Sequence, residues 1–255
     1  MASVQVISLG GSIIAPDKVD VAFLRSFRKA VLEYLEQDPE RRLILVCGGG
    51  GPAREYQGAY RAVLSGAAGG GAAGGGAAEG EPAGGAGADE AEAEAQDWIG
   101  IAATRLNAEL VRFLFQPHCP QPVVQDPTVV PVFTGRVLVA GGWKPGFSSD
   151  YDAVLLARRF QADSLVNLSN VAAIYSADPK LDPSARPLPR LRWAELAAMV
   201  GTKWVPGRNV PFDPVATAEA ARDGLRVVVA AGRNIENFKR ILAGKDFEGT
   251  VVGPS

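Results

Sequence analysis

Histidine and cysteine are scarce in this chain, which has one His and two Cys among 255 residues. Cys47 and Cys119 are too few and too far apart for a disulfide framework or a zinc-binding spacing. Cys47 ends an apolar run, which predicts a small buried core residue. We expect the single histidine, His118, to lie in a surface loop rather than at a catalytic centre. The composition therefore disfavours both a metal centre and histidine-based catalysis.

Long apolar runs and an excess of one charge are also missing. No stretch approaches the roughly 20 apolar residues that cross a membrane. The formal net charge is −2, so no overall field favours nucleic acid or a membrane surface. The chain enters a strand pattern at Val4 without the basic and apolar regions of a signal peptide. We therefore expect a cytoplasmic protein that binds neither nucleic acid nor membranes.

Residues 66–95 have no side chain larger than glutamate. This segment holds 12 Ala, 11 Gly, six acidic residues and one Pro. Such a composition buries too little apolar surface to offset the entropy lost on ordering, which predicts a disordered insertion. The other 225 residues carry a net charge of +4, which suits an anionic substrate.

The stretch 43–57 has the pattern of a strand, a glycine loop and a helix start. The apolar run 43–46 suits a strand buried on both faces, and four glycines follow at 48–51. Pro52 is suited to the first helical turn, and Arg54 lies one turn further on. Glycine N–H groups at a helix N-terminus bind phosphate well. The loop is neither a G-x-G-x-x-G fingerprint nor a P-loop, so it indicates a phosphate or nucleotide, and a tight turn that binds nothing stays open as the alternative.

Strands and helices alternate along the rest of the chain. Apolar runs predict strands at 4–9, 43–46, 123–124, 137–140, 164–168, 226–230 and, at the edge, 251–252. Helical spacing predicts helices at 21–35, 52–64, 102–114, 151–160, 193–200, 213–223 and 234–242. This order favours an α/β fold with a mainly parallel sheet covered on both faces. Glycine-bearing loops at 10–12, 48–51 and 141–150 follow strands, so we expect them to meet at the carboxyl edge of the sheet.

Six motifs in order resemble the amino acid kinase family, and within it the archaeal-type uridylate (UMP) kinases. They stand at 8–12, 48–54, 97–108, 145–150, 168–179 and 213–214, and the element Thr104–Ala108 points most to the uridylate branch. The resemblance covers nearly all of the chain except 66–95. It implies one domain over 1–255 with a three-layer α/β/α sandwich. An N-terminal acceptor lobe would cover about 1–142, and a C-terminal ATP lobe about 143–255.

The resemblance also implies a role for individual residues. Those that would face the ATP phosphates are Gly10, Gly11, Ser12, Gly50 and Arg54, and those that would hold the adenosine are Ser169, Asn170, Tyr175 and Asp178. The acceptor nucleotide would contact Gly49, Asp97, Trp143, Lys144, Pro145, Gly146, Phe147, Ser148 and Ser149. Asp150 would lie near the transferred group and orient donors around it. ATP and Mg²⁺ would be required, and a homo-oligomer, dimer or hexamer, is implied.

Simpler roles stay open for several of these residues. Asp97 could be only a helix N-cap, and Ser148 and Ser149 could be caps rather than ligands. Asn170 and Asp178 could be turn residues, and Tyr175 could belong to the core.

The chain departs from the family pattern at cationic positions. Many members carry a lysine where this chain has Ser8, and often another where it has Val205. Lys203 and Arg208 are the nearest substitutes, and we assign them, with Asp150, to catalysis. The acceptor loop also departs: Lys144 replaces an expected histidine, Phe147 replaces a polar residue, and Tyr151 and Asp152 are unusual after Asp150.

The resemblance implies phosphorylation of UMP to UDP with ATP. A kinase of the same fold that acts on another small phosphate or acid is the first alternative. The second is a non-catalytic nucleotide-binding or storage protein, similar to the molybdenum storage proteins, which loss of the usual lysines would favour. Isopentenyl phosphate kinase is disfavoured because its glycine loop typically carries a histidine.

Overall fold

One seven-stranded sheet runs through the molecule. The computed structural model describes residues 3–66, 86–129, 132–179, 181–201 and 210–254. The strands are β1 (Val4–Leu9), β2 (Arg42–Cys47), β3 (Val137–Ala140), β4 (Ser164–Ser169), β5 (Arg190–Arg192), β6 (Val227–Ala231) and β7 (Thr250–Gly253). Their order across the sheet is β3-β2-β1-β4-β6-β7-β5.

Eight helices are described around this sheet. They are α1 (Gly11–Ile14), α2 (Val21–Glu36), α3 (Gly50–Leu64), α4 (Ala86–Leu114), α5 (Ser149–Arg159), α6 (Trp193–Val200), α7 (Pro214–Arg222) and α8 (Ile235–Leu242). Side-chain caps begin several of them: Asp20 accepts from Phe23 N, Asp213 from Ala216 N and Asn234 from Asn237 N. In the part of the chain that the structure describes, no helix is long and apolar enough to cross a membrane.

Five neighbouring strands, β3, β2, β1, β4 and β6, are parallel, so their carboxyl ends lie at one edge of the sheet. β7 is antiparallel to β6, and β5 pairs with β7 in parallel. The prediction of a final edge strand is therefore wrong, because β7 lies inside the sheet and β5 forms that edge. The mainly parallel sheet itself is confirmed.

Two apolar layers on opposite faces of the sheet make the fold a three-layer sandwich. On one face α2, α4 and α8 meet, where the Phe27 ring stacks on Phe238 at 5.3 Å and its edge meets Phe115 at 6.2 Å. On the other face, α5, α6 and α7 pack around Leu156, Leu196 and Ala216. Alternation along the strands supplies both layers, since Ile7 and Leu9 join the first while Val4 and Val6 join the second.

The predicted disorder of 66–95 is wrong for residues 86–95. These residues begin α4, which was expected only from 102. Alanine is the best helix former, and side chains four apart add contacts, with Glu94 accepting from the Trp98 indole at 3.3 Å. Gln57 of α3 donates to the Gln96 carbonyl at 2.8 Å, which ties this turn of α4 to α3. Residues 67–85 lie outside the described residues.

Smaller differences concern short elements. The predicted strand at 123–124 is reduced to one bridge between Val124 and Ala140. α1 and β5, of four and three residues, were not predicted. Their length explains this, because so few residues carry no periodic signal.

Candidate active site

The loops after β1 and β2 approach each other backbone to backbone. A side-chain Cβ on Gly11 would lie 2.0 Å from Gly50 N, and one on Gly50 would lie 2.3 Å from Gly11 O. A Cβ on Gly51 would lie 2.1 Å from Pro16 O. Close packing therefore accounts for glycine at these three positions. It also brings the start of α1 and the start of α3 together at the carboxyl edge of the sheet.

This junction presents backbone donors. Among the described residues, the N–H groups of Gly11, Ser12, Gly49 and Gly50 donate to no protein acceptor. Gly49 and Gly50 begin the 15-residue helix α3, whose N-terminus carries partial positive charge. The Arg54 guanidinium lies beside them, donating to Ser12 Oγ at 3.2 Å and to Pro16 O at 3.1 Å. The arrangement suits an anion such as phosphate.

Asn107 of α4 fixes the second glycine loop. Its Nδ2 donates to Gly48 O at 2.8 Å and to Gly49 O at 3.1 Å, and the side chain is 4% exposed. Asn107 lies in the motif at 97–108, but the resemblance implies no role for it.

α4 also holds the backbone at the start of the 143–149 loop. Thr104 Oγ1 accepts from Gly142 N at 2.6 Å, and Arg105 donates to Gly142 O at 3.1 Å and to Trp143 O at 2.9 Å. Asp97 Oδ2 accepts from Gly146 N at 2.8 Å. Because α4 runs through Asp97 from Ala86, the alternative that Asp97 is only a helix N-cap is wrong.

A cleft of about 330 Å³ lies between α3, α4 and this loop. It brings together seven of the predicted site residues: Gly49, Gly50, Arg54, Asp97, Phe147, Ser148 and Ser149. Gln57, Ile101 and Thr104 line it as well, although no contact with a ligand was predicted for them.

The remaining loop residues lie beside the cleft rather than on its wall. The Trp143 and Phe147 rings are 5.3 Å apart, and Phe147 stacks on Tyr151 at 4.6 Å. Lys144 Nζ lies 4.0 Å from the centre of the Trp143 ring. The Lys144 ammonium is therefore held on an aromatic face, while Pro145 is half-buried and Gly146 is exposed.

Asp150 lies at the start of α5 and faces β1. Ser8 Oγ donates to Asp150 Oδ1 at 3.0 Å. Burial raises the pKa of Asp150 to about 6, the neighbouring Asp213 carboxylate adds to the shift, and the Ser8 hydrogen bond opposes it.

Ser148 caps α5 by accepting from Tyr151 N at 3.2 Å, so its alternative role as a cap is real, although it also lines the cleft.

The residues predicted to hold adenosine follow β4. Ser169 lies next to the first glycine loop, because Gly10 N donates to Leu168 O at 2.9 Å. Asn170 and Asp178 are exposed, and Tyr175 is half-buried in a bridge to Pro187 rather than in the core.

Lys203 and Arg208 lie outside the described residues, so their assignment to catalysis stays a prediction.

Known proteins are similar to this chain in both sequence and fold. Residues 3–231 match the amino acid kinase family. The chain is 33% identical over 250 residues to the uridylate kinase of Methanospirillum hungatei, covering 97% of this chain and 93% of that one, and 30% identical to the uridylate kinase of Hyperthermus butylicus, covering 97% of both. The crystal structure of uridylate kinase from Archaeoglobus fulgidus superposes with a TM-score of 0.74 at 32% identity, covering 98% of this chain and 99% of that one. On this match along its length, in sequence and in fold, the chain belongs to the amino acid kinase family.

Proposed function

We propose that this protein transfers the γ-phosphoryl group of ATP to the phosphate of UMP, forming UDP and ADP. The observation that carries the proposal is the likeness to uridylate kinases along the whole chain, at 32% identity and a TM-score of 0.74 for the solved structure. The cleft between α3, α4 and the 143–149 loop supports it, since it offers donors for an anionic acceptor.

The acceptor would occupy this cleft. The free N–H group of Gly49 would meet its phosphate. Gly50 and Arg54, which the resemblance assigns to the ATP phosphates, line the same cleft, so the two phosphate groups would meet there. Asp97, Ser148 and Ser149 offer polar groups to the nucleoside. The cleft volume, about 330 Å³, lies at the lower end of the range for small-molecule sites.

ATP would lie against the other side of the same junction. The N–H groups of Gly11 and Ser12 would face its phosphates, and Ser169, next to Gly10, would lie on the adenosine side with Asn170, Tyr175 and Asp178. Among the described residues, no group of three Asp, Glu, His or Cys side chains could hold a metal ion. We assign Mg²⁺ to the nucleotide, because phosphates and water usually supply most of its ligands.

Transfer requires an oxygen of the UMP phosphate to attack the γ-phosphorus while the bond to the bridging oxygen of ADP breaks. No general base is needed, because that oxygen is already ionised near neutral pH. The protein's task is in-line positioning and stabilisation of charge on the moving group. Backbone N–H groups and Arg54 supply part of this, Asp150 orients its neighbours, and Lys203 or Arg208 would supply the remaining cation.

A panel of phosphate acceptors with Mg-ATP tests the proposal. We expect UMP to give the highest kcat/KM, ahead of CMP, AMP and small carboxylic acids. Another acceptor with a tenfold higher kcat/KM would make this a different kinase of the fold. Binding of ATP without turnover of any acceptor would support a storage or binding protein instead.

The proposal also covers the cellular compartment, the oligomeric state and the division into lobes. Cys47 and Cys119 are both buried free thiols, which suits a reducing cytoplasm. Exposed apolar side chains on α4, Leu106 at 68% and Phe113 at 58%, suit a homo-oligomer. We also propose the division into an acceptor lobe, about 1–142, and an ATP lobe, about 143–255.

A further inference from the structure

The four departures from the family pattern in and after the 143–149 loop form one cluster. Phe147 stacks on Tyr151 at 4.6 Å, and Lys144 Nζ lies 5.3 Å from the centre of the Phe147 ring. Asp152 reaches the same loop from α5, because its Oδ2 accepts from Trp143 N at 3.1 Å. Residues that are only three to nine positions apart thus join the loop to the first turns of α5.

Asp152 is an unusual residue for its surroundings. Its side chain is 1% exposed, and Oδ1 has no hydrogen-bond partner among the described residues. Burial raises the pKa of Asp152 to about 7, the carboxylates of Asp126 and Asp150 add to the shift, and Arg105 opposes it. An apolar residue would avoid this cost, so a local contact must favour an acid at this position.

The Trp143 N–H group is that contact. It is the one hydrogen-bond donor to Asp152 that the described part of the chain supplies, and it lies in the same peptide unit as Gly142 O, which Arg105 holds at 3.1 Å. Thr104 holds Gly142 N on the other side at 2.6 Å. Without Asp152, the loop would be held at its start from α4 alone, and Trp143 N would be left unpaired.

We propose that Asp152 is a positioning residue that fixes the start of the 143–149 loop through Trp143 N–H and so sets the shape of the acceptor cleft. The inference rests on the proposed function only in naming the cleft's ligand. Asp152 itself is not on the cleft wall, whereas Phe147, Ser148 and Ser149 of the same loop are. Its effect therefore reaches the acceptor through the backbone, and it should influence acceptor binding more than the transfer step.

Two substitutions separate the hydrogen bond from the packing. Asp152→Asn keeps an acceptor oxygen of the same reach, whereas Asp152→Val has a similar volume and no acceptor. We expect Asp152→Val to raise the KM for UMP at least fivefold, with kcat and the KM for ATP within twofold of wild type. Asp152→Asn should stay within twofold in all three. Asp246→Asn, at an exposed site, is the matched control and should change none of them.

A second measurement does not depend on the substrate. Hydrogen exchange of the Trp143 amide should be at least tenfold faster in Asp152→Val than in wild type or Asp152→Asn. If wild type fails to phosphorylate UMP, the proposed function is wrong, and this exchange rate still decides the positioning role. Unchanged KM and exchange in Asp152→Val would overturn the inference, as would equal damage by Asn and Val. Should Asp152→Val fail to fold, Asp152→Ala replaces it with the same expected changes.

Discussion

Ser8 Oγ donates to Asp150 Oδ1 across 3.0 Å, joining the carboxyl end of β1 to the N-terminus of α5. The resemblance to the family predicts a lysine at the position of Ser8. The hydroxyl keeps a hydrogen bond to the carboxylate but adds no positive charge, so the charge on the transferred phosphoryl group must be met elsewhere.

We expect Asp150→Asn to lower kcat at least tenfold, about 1.4 kcal/mol of transition-state stabilisation. The amide keeps an acceptor for Ser8 but cannot orient cationic donors as a carboxylate does. Steady-state kinetics with UMP and Mg-ATP measure the effect, with Asp246→Asn as the control. An unchanged kcat would remove Asp150 from the transfer site.

A second prediction concerns the cation that replaces the lysines expected at Ser8 and Val205. Lys203→Met or Arg208→Met should lower kcat at least tenfold if either group neutralises charge in the transition state. Lys144→Met should instead raise the KM for UMP more than it lowers kcat, because its ammonium lies on the Trp143 ring beside the acceptor cleft. If neither of the first two variants changes kcat, transfer depends on backbone donors, Arg54 and Mg²⁺.

Asn107 links α4 to the second glycine loop, and its removal should affect stability and binding together. Asn107→Leu leaves the carbonyls of Gly48 and Gly49 without this donor, and burying unpaired groups costs about 1–3 kcal/mol. We expect that loss in chemical denaturation and a higher KM for UMP. Asp246→Asn, at an exposed site, is the control. A fully stable, fully active Asn107→Leu would show that the loop holds its shape alone.

The raised pKa of the buried Asp152 carboxyl predicts that the stability of the protein depends on pH. Its pKa is raised in the folded protein to about 7 from an ordinary value of 3.8, so the folded state binds the proton more tightly than the unfolded state does. Stability from this group is present below pH 4 and is lost as the pH rises towards 7. Asp152→Asn should therefore raise the free energy of unfolding more at pH 7.5 than at pH 5, by an amount on the order of a few kcal/mol. Denaturation at the two pH values measures this, and an equal change at both would contradict it.

Shortening the segment after α3 tests how much of residues 66–95 the fold needs. Replacing 67–85 by a short Gly–Ser link should change the free energy of unfolding by roughly 1 kcal/mol or less, because loop-closure entropy varies slowly with length. Removing 67–95 instead should cost more, since it deletes the first turns of α4 and disturbs the contact of Gln96 with Gln57. Ala86 lies 11 residues before Asp97, about 16 Å along the helix, so activity of the shorter deletion should stay near wild type. Loss of its activity alone would show that 67–85 reaches the cleft.

The sequence was sufficient for the class of fold and for most of its elements. Buried parallel strands such as Val4–Leu9 are continuous apolar runs, and amphipathic helices such as Val21–Glu36 repeat at helical spacing after a capping residue. Both signals lie within a few consecutive residues, so they can be recognised without knowledge of the rest of the chain. The resemblance to the amino acid kinase family, carried by six motifs in order, implied a nucleotide kinase and seven of the residues that line the cleft.

Tertiary structure decided what depends on contacts between distant residues. No local pattern shows that Asn107 donates to Gly48, 59 positions away, or that Gln57 of α3 donates to the Gln96 carbonyl in α4. Asp152 is buried next to Trp143 because of the way α5 packs against the 143–149 loop. β7 lies inside the sheet because it pairs with both β6 and β5. Such contacts are set by the packing of whole elements, and local propensity does not determine which elements become neighbours.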